Sequence, residues 1–182
     1  MSGRLVAVLG PSGVGKDSVL GAIRDRRPDI LVAQRVITRP TEAGSEPFEG
    51  VCEDTFRQRL DAGHFALHWQ AHGLRYGVPV SIDDHLAAGK TVFFNGSRGA
   101  LPAALARYPR MQIILLIASP EVLAKRLLDR GRETLDDIAA RLKRADYSLP
   151  AQINATTILN DGALGDTVDQ VLATLQPESI SL

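Results

Sequence analysis

Apolar and polar positions change rhythm repeatedly along this chain. "RLVAVL" (4–9) is a short apolar run that reads as a strand. From Lys16 to about Arg26 the apolar positions Val19, Leu20 and Ile23 recur at helical spacing, and Pro28 closes that helix. "ILVAQRVI" (30–37) reads as a strand, whereas residues 39–52, rich in Pro, Gly and Glu, read as irregular. A helix is expected around 53–62, with short strands around 65–69 and 74–78. Pro79 can open a helix to about Ala88, where Gly89 stops it. "TVFFN" (91–95) reads as a strand and "GALPAALARY" (99–108) as a helix. "MQIILLIA" (111–118) shows no polar alternation, the mark of a buried parallel strand. Helices from Pro120 to about Asp129, over 134–147 and over 164–175, with a strand at 155–160, complete the pattern.

Strands alternating with helices imply an α/β fold: a parallel central sheet covered on both faces, in three layers. The segment from about 33 to 90 breaks the alternation. It is expected to be a small α+β insertion within a single domain of 182 residues whose core is 1–32 and 91–182.

Composition narrows the function classes. Hydrophobic residues make up 45%, enough for a core, and the formal net charge is zero. That balance argues against broad electrostatic binding to nucleic acid. The single cysteine, Cys52, forms no internal disulfide and suits a reducing compartment. The longest strongly apolar run, "IILLIA" (113–118), is too short to span a bilayer, and "MSGRLVAVLG" reads as a first strand, not a signal peptide. A cytoplasmic protein without membrane association is expected. The oligomeric state is left open, a homodimer included.

"GPSGVGKDS" (10–18) carries the chemistry. Gly10, Gly15 and Lys16 match the phosphate-binding loop G-x-x-x-x-G-K-[ST], but Asp17 stands where a hydroxyl is expected. The backbone of Gly10, Pro11, Ser12, Gly13, Val14 and Gly15 can turn its N–H groups toward phosphate oxygens, aided by the positive end of the next helix. Lys16 adds a point charge for the β and γ phosphates of ATP. A carboxylate about 5 Å from a phosphate charge costs roughly 3 kcal/mol at an effective dielectric of 20. A divalent metal between the two reverses that sign, so Asp17 is a candidate Mg²⁺ ligand, direct or through water. The alternative is a carboxylate turned outward that merely favours the helix start. Ser18 is a weak substitute for the missing hydroxyl, being about 100° further round the helix.

Arginines supply the rest. Arg130 and Arg132 flank Gly131, and Arg141 follows on the next helix, an arrangement suited to a helical lid over about 126–146 that closes on a transferring phosphoryl group. Arg126 and Arg144 read more simply as members of a solvated charged helix. Arg35, Arg39, Arg75, Tyr76 and Arg98 lie in the insertion or just after the strand ending at Asn95, and strand ends are where open α/β sheets bind ligands. They are candidates to bind an anionic acceptor. No H-E-x-x-H or paired C-x-x-C occurs, and no aspartate stands out as a base for a hydroxyl. A phosphate acceptor needs no such base, because its oxygen is already ionised at neutral pH.

Taken in order, "GPSGVGKD", "ITRP" (37–40), "HGLRYGV" (72–78), "AAGKTVFFN" (87–95), "RLLDRGRE" (126–133) and "LNDG" (159–162) resemble the guanylate kinase family over nearly the full length. The resemblance implies that Arg39 and Tyr76 hold the acceptor's phosphate and that Arg130 and Arg141 close over the transferred group. It also implies that Asn160 lies near the adenine, and Arg126 is counted beside it among the ATP-binding candidates. The departures are informative. Where guanylate kinases carry a guanine-reading glutamate this chain has Leu67, and Val78 replaces a hydroxyl residue. Phe94 and Gly96 replace an acidic strand end, and Phe48 replaces a phosphate-binding tyrosine. A pocket without its polar readers loses discrimination for the base. The kept kinase parts, with Asp17 and the stretches "GSE" (44–46), "FALHWQAHGLRYGV" (65–78) and "NGSR" (95–98), are similar to the ribose 1,5-bisphosphate phosphokinases. That similarity implies ATP-dependent phosphorylation of a phosphorylated ribose to 5-phosphoribosyl 1-diphosphate, in phosphonate breakdown. Arg35 and Arg98 would meet phosphate, while Asn95, Asp83 or Asp84 would meet ribose hydroxyls. A nucleoside monophosphate kinase, a non-catalytic binding module and a regulatory ATPase are the competing readings.

Overall fold

The first apolar run does form a strand, β1 (Arg4–Leu9), and it lies at the centre of a parallel sheet. The architecture is that of a computed structural model describing residues 3–40, 47–129 and 148–175. The sheet has the order β2 (Leu31–Val32), β7 (Thr91–Asn95), β1, β8 (Gln112–Ile117), β9 (Thr156–Leu159), with every neighbouring pair parallel. Successive strand side chains point to opposite faces, so one apolar run supplies two cores. Leu5, Ala7 and Leu9 join Val92, Phe94, Ile113 and Leu115 on one side. Val6 and Val8 join Phe93, Ile114 and Leu116 on the other.

Helices α1 (Lys16–Arg26), α5 (Pro120–Asp129) and α6 (Leu164–Ala173) cover the second side through Val19, Leu20, Ile23, Leu123, Val168 and Val171. Ile82 of α3 (Ile82–Ala87) and Leu101 and Ala104 of α4 (Leu101–Arg107) cover the first. They share it with a second sheet of order β4 (Phe48–Gly50), β3 (Arg35–Ile37), β6 (Leu74–Pro79), β5 (Phe65–Ala71). A smaller cluster joins that sheet to α2 (Glu53–Asp61), where Phe56 stacks on Phe65 with ring centroids 4.6 Å apart.

Three local expectations change. Residues 30–37 are two strands in two sheets, not one. The Ala33 amide still donates to the Phe93 carbonyl at 2.8 Å, and after exposed Gln34 the chain pairs with β4 and β6 instead. A single strand-like stretch does not by itself reveal a change of sheet, even with Gln34 and Arg35 inside it. The segment 39–52 contains β4, because buried Phe48 fixes it parallel to β3 with Arg35 opposite. Pro79 ends β6, paired with Phe65, and the helix starts only at Ile82. Proline's fixed φ fits a strand end as well as a first helical turn. The helix expected over 134–147 lies outside the described residues. No described helix is long and apolar enough to cross a membrane.

Candidate active site

The glycine-rich loop leaves the C-terminal end of β1 and enters α1, at the crevice where open parallel sheets bind ligands. Gly10 and Gly15 are required by their surroundings. Each has positive φ, 150° and 98°. A Cβ on Gly10 would lie 2.5 Å from the Leu116 carbonyl oxygen, and one on Gly15 2.7 Å from Asn160 Nδ2. The loop therefore rests directly on the ends of β8 and β9. Lys16 Nζ donates to the carbonyls of Gly10 (2.8 Å) and Pro11 (3.1 Å), folded back over the loop that phosphate would occupy. Ser12 and Ser18 are exposed, whereas Val14 is buried.

The Val14 carbonyl is the loop's anchor. It accepts from Asn160 Nδ2 at 2.7 Å and from Arg126 Nη1 at 3.2 Å. Asn160 Oδ1 in turn accepts from the Thr167 hydroxyl at 2.7 Å, and both residues are buried. Asn160 thus braces the loop with both ends of its amide. Beside it, Gly13, Gly15, Ser18, Arg126, Asp129 and Gly162 line an open cavity of about 350 Å³ next to the loop. Arg126, which its helix alone would leave solvated, turns inward to this wall. Nothing in the sequence marked Thr167, whose role depends on a contact across the fold.

Asp17 does not turn outward. Its Oδ1 accepts a 2.7 Å hydrogen bond from Asn95 Nδ2, and Asn95 is 5% exposed at the end of β7. The Asn95 main-chain carbonyl accepts from Arg35 Nη1 at 3.2 Å. Arg35 is itself buried and lies 5.3 Å from the Tyr76 ring centroid. Phosphate loop, strand end and second sheet are thus joined through one asparagine. Asp17 and Asn95 offer oxygen donors of the kind a hard divalent cation prefers. Among the described residues no group of three or more His, Cys, Asp or Glu could cage a metal. A nucleotide-bound cation requires no such cage, since phosphates and water fill most of its positions.

Just past β3 the Arg39 guanidinium sits 4.2 Å from the Phe48 ring centroid, and its Nε is buried without a hydrogen-bond partner. Thr38 and Arg75 exchange hydrogen bonds at 2.8 and 3.1 Å, fixing the chain just before Arg39. Tyr76 stacks nearly parallel on Trp69, centroids 5.4 Å apart. The positions where a guanine reader would stand are apolar core. Leu67 faces Val78 across the β5–β6 ladder, and both pack with Trp69 and Phe94. A Cβ on Gly96 would meet Leu9 Cδ2 at 2.8 Å, so no acidic side chain fits there without movement.

Other candidates fall elsewhere. Arg98 is exposed, 3.4 Å from the Ser148 carbonyl. Asp83 accepts from the Tyr108 hydroxyl (2.6 Å) and from Arg107 (2.7 Å). It lines a cavity with Gly3 and Leu5, at the start of β1. That is the end of the strand opposite the loop, about 17–20 Å away at strand rise. Asp83 is therefore removed from the ribose-binding candidates, together with neighbouring Asp84, which belongs to the same short helix. Arg130, Arg132, Arg141 and Arg144 lie outside the described residues.

No family model matches the chain. Curated relatives do. A ribose 1,5-bisphosphate phosphokinase PhnN of Agrobacterium fabrum is 42% identical over 175 residues, covering 94% of this chain and 96% of the relative. The enzyme of the same name from Burkholderia mallei is 49% identical over 176 residues, covering 95% of each. The chain belongs to the ribose 1,5-bisphosphate phosphokinase family. Family membership makes it a kinase, and its phosphate loop is consistent with that. Among solved structures it is similar to a guanylate kinase from Anaplasma phagocytophilum, with TM-score 0.71, 18% identity and coverage of 99% of this chain and 88% of that one. That likeness gives the fold.

Proposed function

We propose that this chain transfers the γ-phosphoryl group of ATP to the 1-phosphate of ribose 1,5-bisphosphate, giving 5-phosphoribosyl 1-diphosphate and ADP in the cytoplasm during phosphonate breakdown. The observation that carries the reading is the combination of an intact phosphate loop with a base pocket closed by Leu67, Val78 and Phe94. An acceptor with phosphates and no base suits that surface.

In this reading an ionised oxygen of the 1-phosphate attacks the γ-phosphorus and the bond to the β-phosphate oxygen breaks. The attacking oxygen carries no proton at neutral pH, so no general base is needed. Lys16 leaves the Gly10 and Pro11 carbonyls to meet the β and γ phosphates. Arg39 offers its buried, unpaired Nε to the acceptor phosphate, with Tyr76 beside it and Arg35 as a second cation. Arg130 and Arg141 close over the transferred group from the lid (about 126–146), which excludes water and prevents hydrolysis of ATP. The insertion (about 33–90) serves as the acceptor-binding part. Asp17 would hold Mg²⁺ together with the nucleotide phosphates, and the bound ion would supply positive charge to the developing transition state.

The test is ADP release from Mg-ATP with ribose 1,5-bisphosphate, with GMP and with no acceptor, the product identified by ³¹P NMR. Turnover with the ribose bisphosphate alone is expected. Turnover with GMP would mean that another set of residues reads a base. ADP release without acceptor would mark an ATPase, and no ATP binding at all would mark a binding module.

A further inference from the structure

In ordinary phosphate-loop enzymes the metal is held by the hydroxyl after the loop lysine together with an aspartate from elsewhere in the fold. The hydroxyl is neutral and donates; the aspartate is charged and accepts. Here the two chemical characters are exchanged. The charged acceptor, Asp17, is on the loop, and the neutral donor is the amide of Asn95. Asn95 ends β7, the strand paired with β1, with Val8 as its partner. The bond between them is 2.7 Å.

We propose that Asp17 and Asn95 form a charge-exchanged metal pair, in which Asp17 supplies the anionic ligand and Asn95 is the positioning residue that aims it. The inference deepens the proposed kinase function and rests on it for the nucleotide that accompanies the metal. Two observations carry it. First, the pair holds one carboxylate and one neutral hydrogen-bonding group, the same two characters as the ordinary arrangement, with the neutral donor on the strand. An acidic strand end would collide with Leu9 at Gly96, and the carboxylate sits across from that strand instead. Second, Asn95 is 5% exposed and its Oδ1 has no hydrogen-bond partner. The Asn95 amide donates its Nδ2 to Asp17 Oδ1, which turns the amide's own Oδ1 away from the carboxylate. A buried carbonyl oxygen without a donor is unfavourable. A metal-bound water is a strong donor that would satisfy it, and the metal itself would favour the neighbouring carboxylate.

The test uses Mn²⁺ as the probe, its affinity for the complex of the full chain with a non-hydrolysable ATP analogue read by electron paramagnetic resonance. Asp17→Ser and Asn95→Ala are each expected to weaken Mn²⁺ binding, by about tenfold or more for the first and several-fold for the second. The reciprocal double substitution, Asp17→Ser with Asn95→Asp, is expected to recover affinity to within about threefold of the unaltered chain. A double variant no better than Asp17→Ser overturns the pair, as does unchanged Mn²⁺ affinity in Asp17→Ser. Should the double variant fail to fold, Asp17→Asn decides: it keeps the shape at a half-exposed position, and unchanged Mn²⁺ affinity overturns the proposal while a tenfold loss, on the order expected for a lost metal ligand, sustains it. The sugar takes no part in this measurement. Failure of turnover with ribose 1,5-bisphosphate would therefore sink the functional reading and leave the metal result standing.

Discussion

Asn160→Ala offers the sharpest check on how the loop is held. Asn160 is 3% exposed and Thr167 1% exposed, so neither has water as a substitute partner. Truncation removes the 2.7 Å bond to the Val14 carbonyl, which keeps only the 3.2 Å bond from Arg126. It also leaves the Thr167 hydroxyl without its acceptor. One stranded buried group costs about 1–3 kcal/mol and one lost hydrogen bond about 1 kcal/mol, so the expected loss is about 2–4 kcal/mol. For a chain of this size that lowers Tm by about 5–15 °C. Urea unfolding gives the free energy and calorimetry the Tm. A double-mutant cycle with Thr167→Val isolates the pair, with an expected coupling of about 1 kcal/mol. ATP affinity should fall as well, since the loop loses its main brace. A loss below about 0.5 kcal/mol, inside the range of surface substitutions, would refute the brace, and so would strict additivity with Thr167→Val.

Three further outcomes are expected. Arg39→Ala should raise the acceptor's KM or lower kcat while ATP binding, followed by calorimetry, stays near its original strength; loss of ATP binding would move Arg39 to the other side of the site. Leu67→Glu should give no GMP turnover and a less stable protein, because a carboxylate between Val78 and Phe94 is buried without a donor, at a cost of about 2–4 kcal/mol; a gain in GMP-dependent ADP release would contradict the closed pocket. Burial, with help from Asp83, pushes the Tyr108 phenol up to about 12. An unfolded tyrosine ionises near 10, so the unfolded state loses this proton first and stability falls as pH rises from about 10 to 12. Tyr108→Phe should flatten that part of the stability–pH curve, and an unaltered slope would remove the Asp83–Tyr108 contact as its cause.

The central sheet was legible because its middle strands β7, β1 and β8 are apolar on both faces and its helices carry periodic stripes, signals that need no partner to be read. β4 was hidden because three residues between Pro- and Gly-rich neighbours carry no period; only pairing with β3 makes them a strand. The run at 30–37 misled because β-propensity is indifferent to which sheet a residue joins. At the site, the loop was legible because its glycines answer a local demand of the backbone. Asp17 showed its oddness in sequence, but its orientation depends on Asn95, 78 residues away. Asp83 carried no local signal of its own, and its place at the opposite pole of the sheet is set by contacts with Arg107 and Tyr108, 24 and 25 residues on.

The anchor of the phosphate loop has a consequence for synthesis. Val14 is made early in this chain, and the amide that fastens it comes 146 residues later. At about 5–20 residues per second, a ribosome needs on the order of ten seconds to cover that distance. Until residue 126 is made the nascent chain carries every glycine of its phosphate loop and neither Arg126 nor Asn160 to hold the curve, and from there to residue 160 it has Arg126 alone. A product truncated before residue 160 has the motif but not the brace. The most recognisable segment of the protein is thus the last to become competent, and an incomplete chain is a poor trap for ATP.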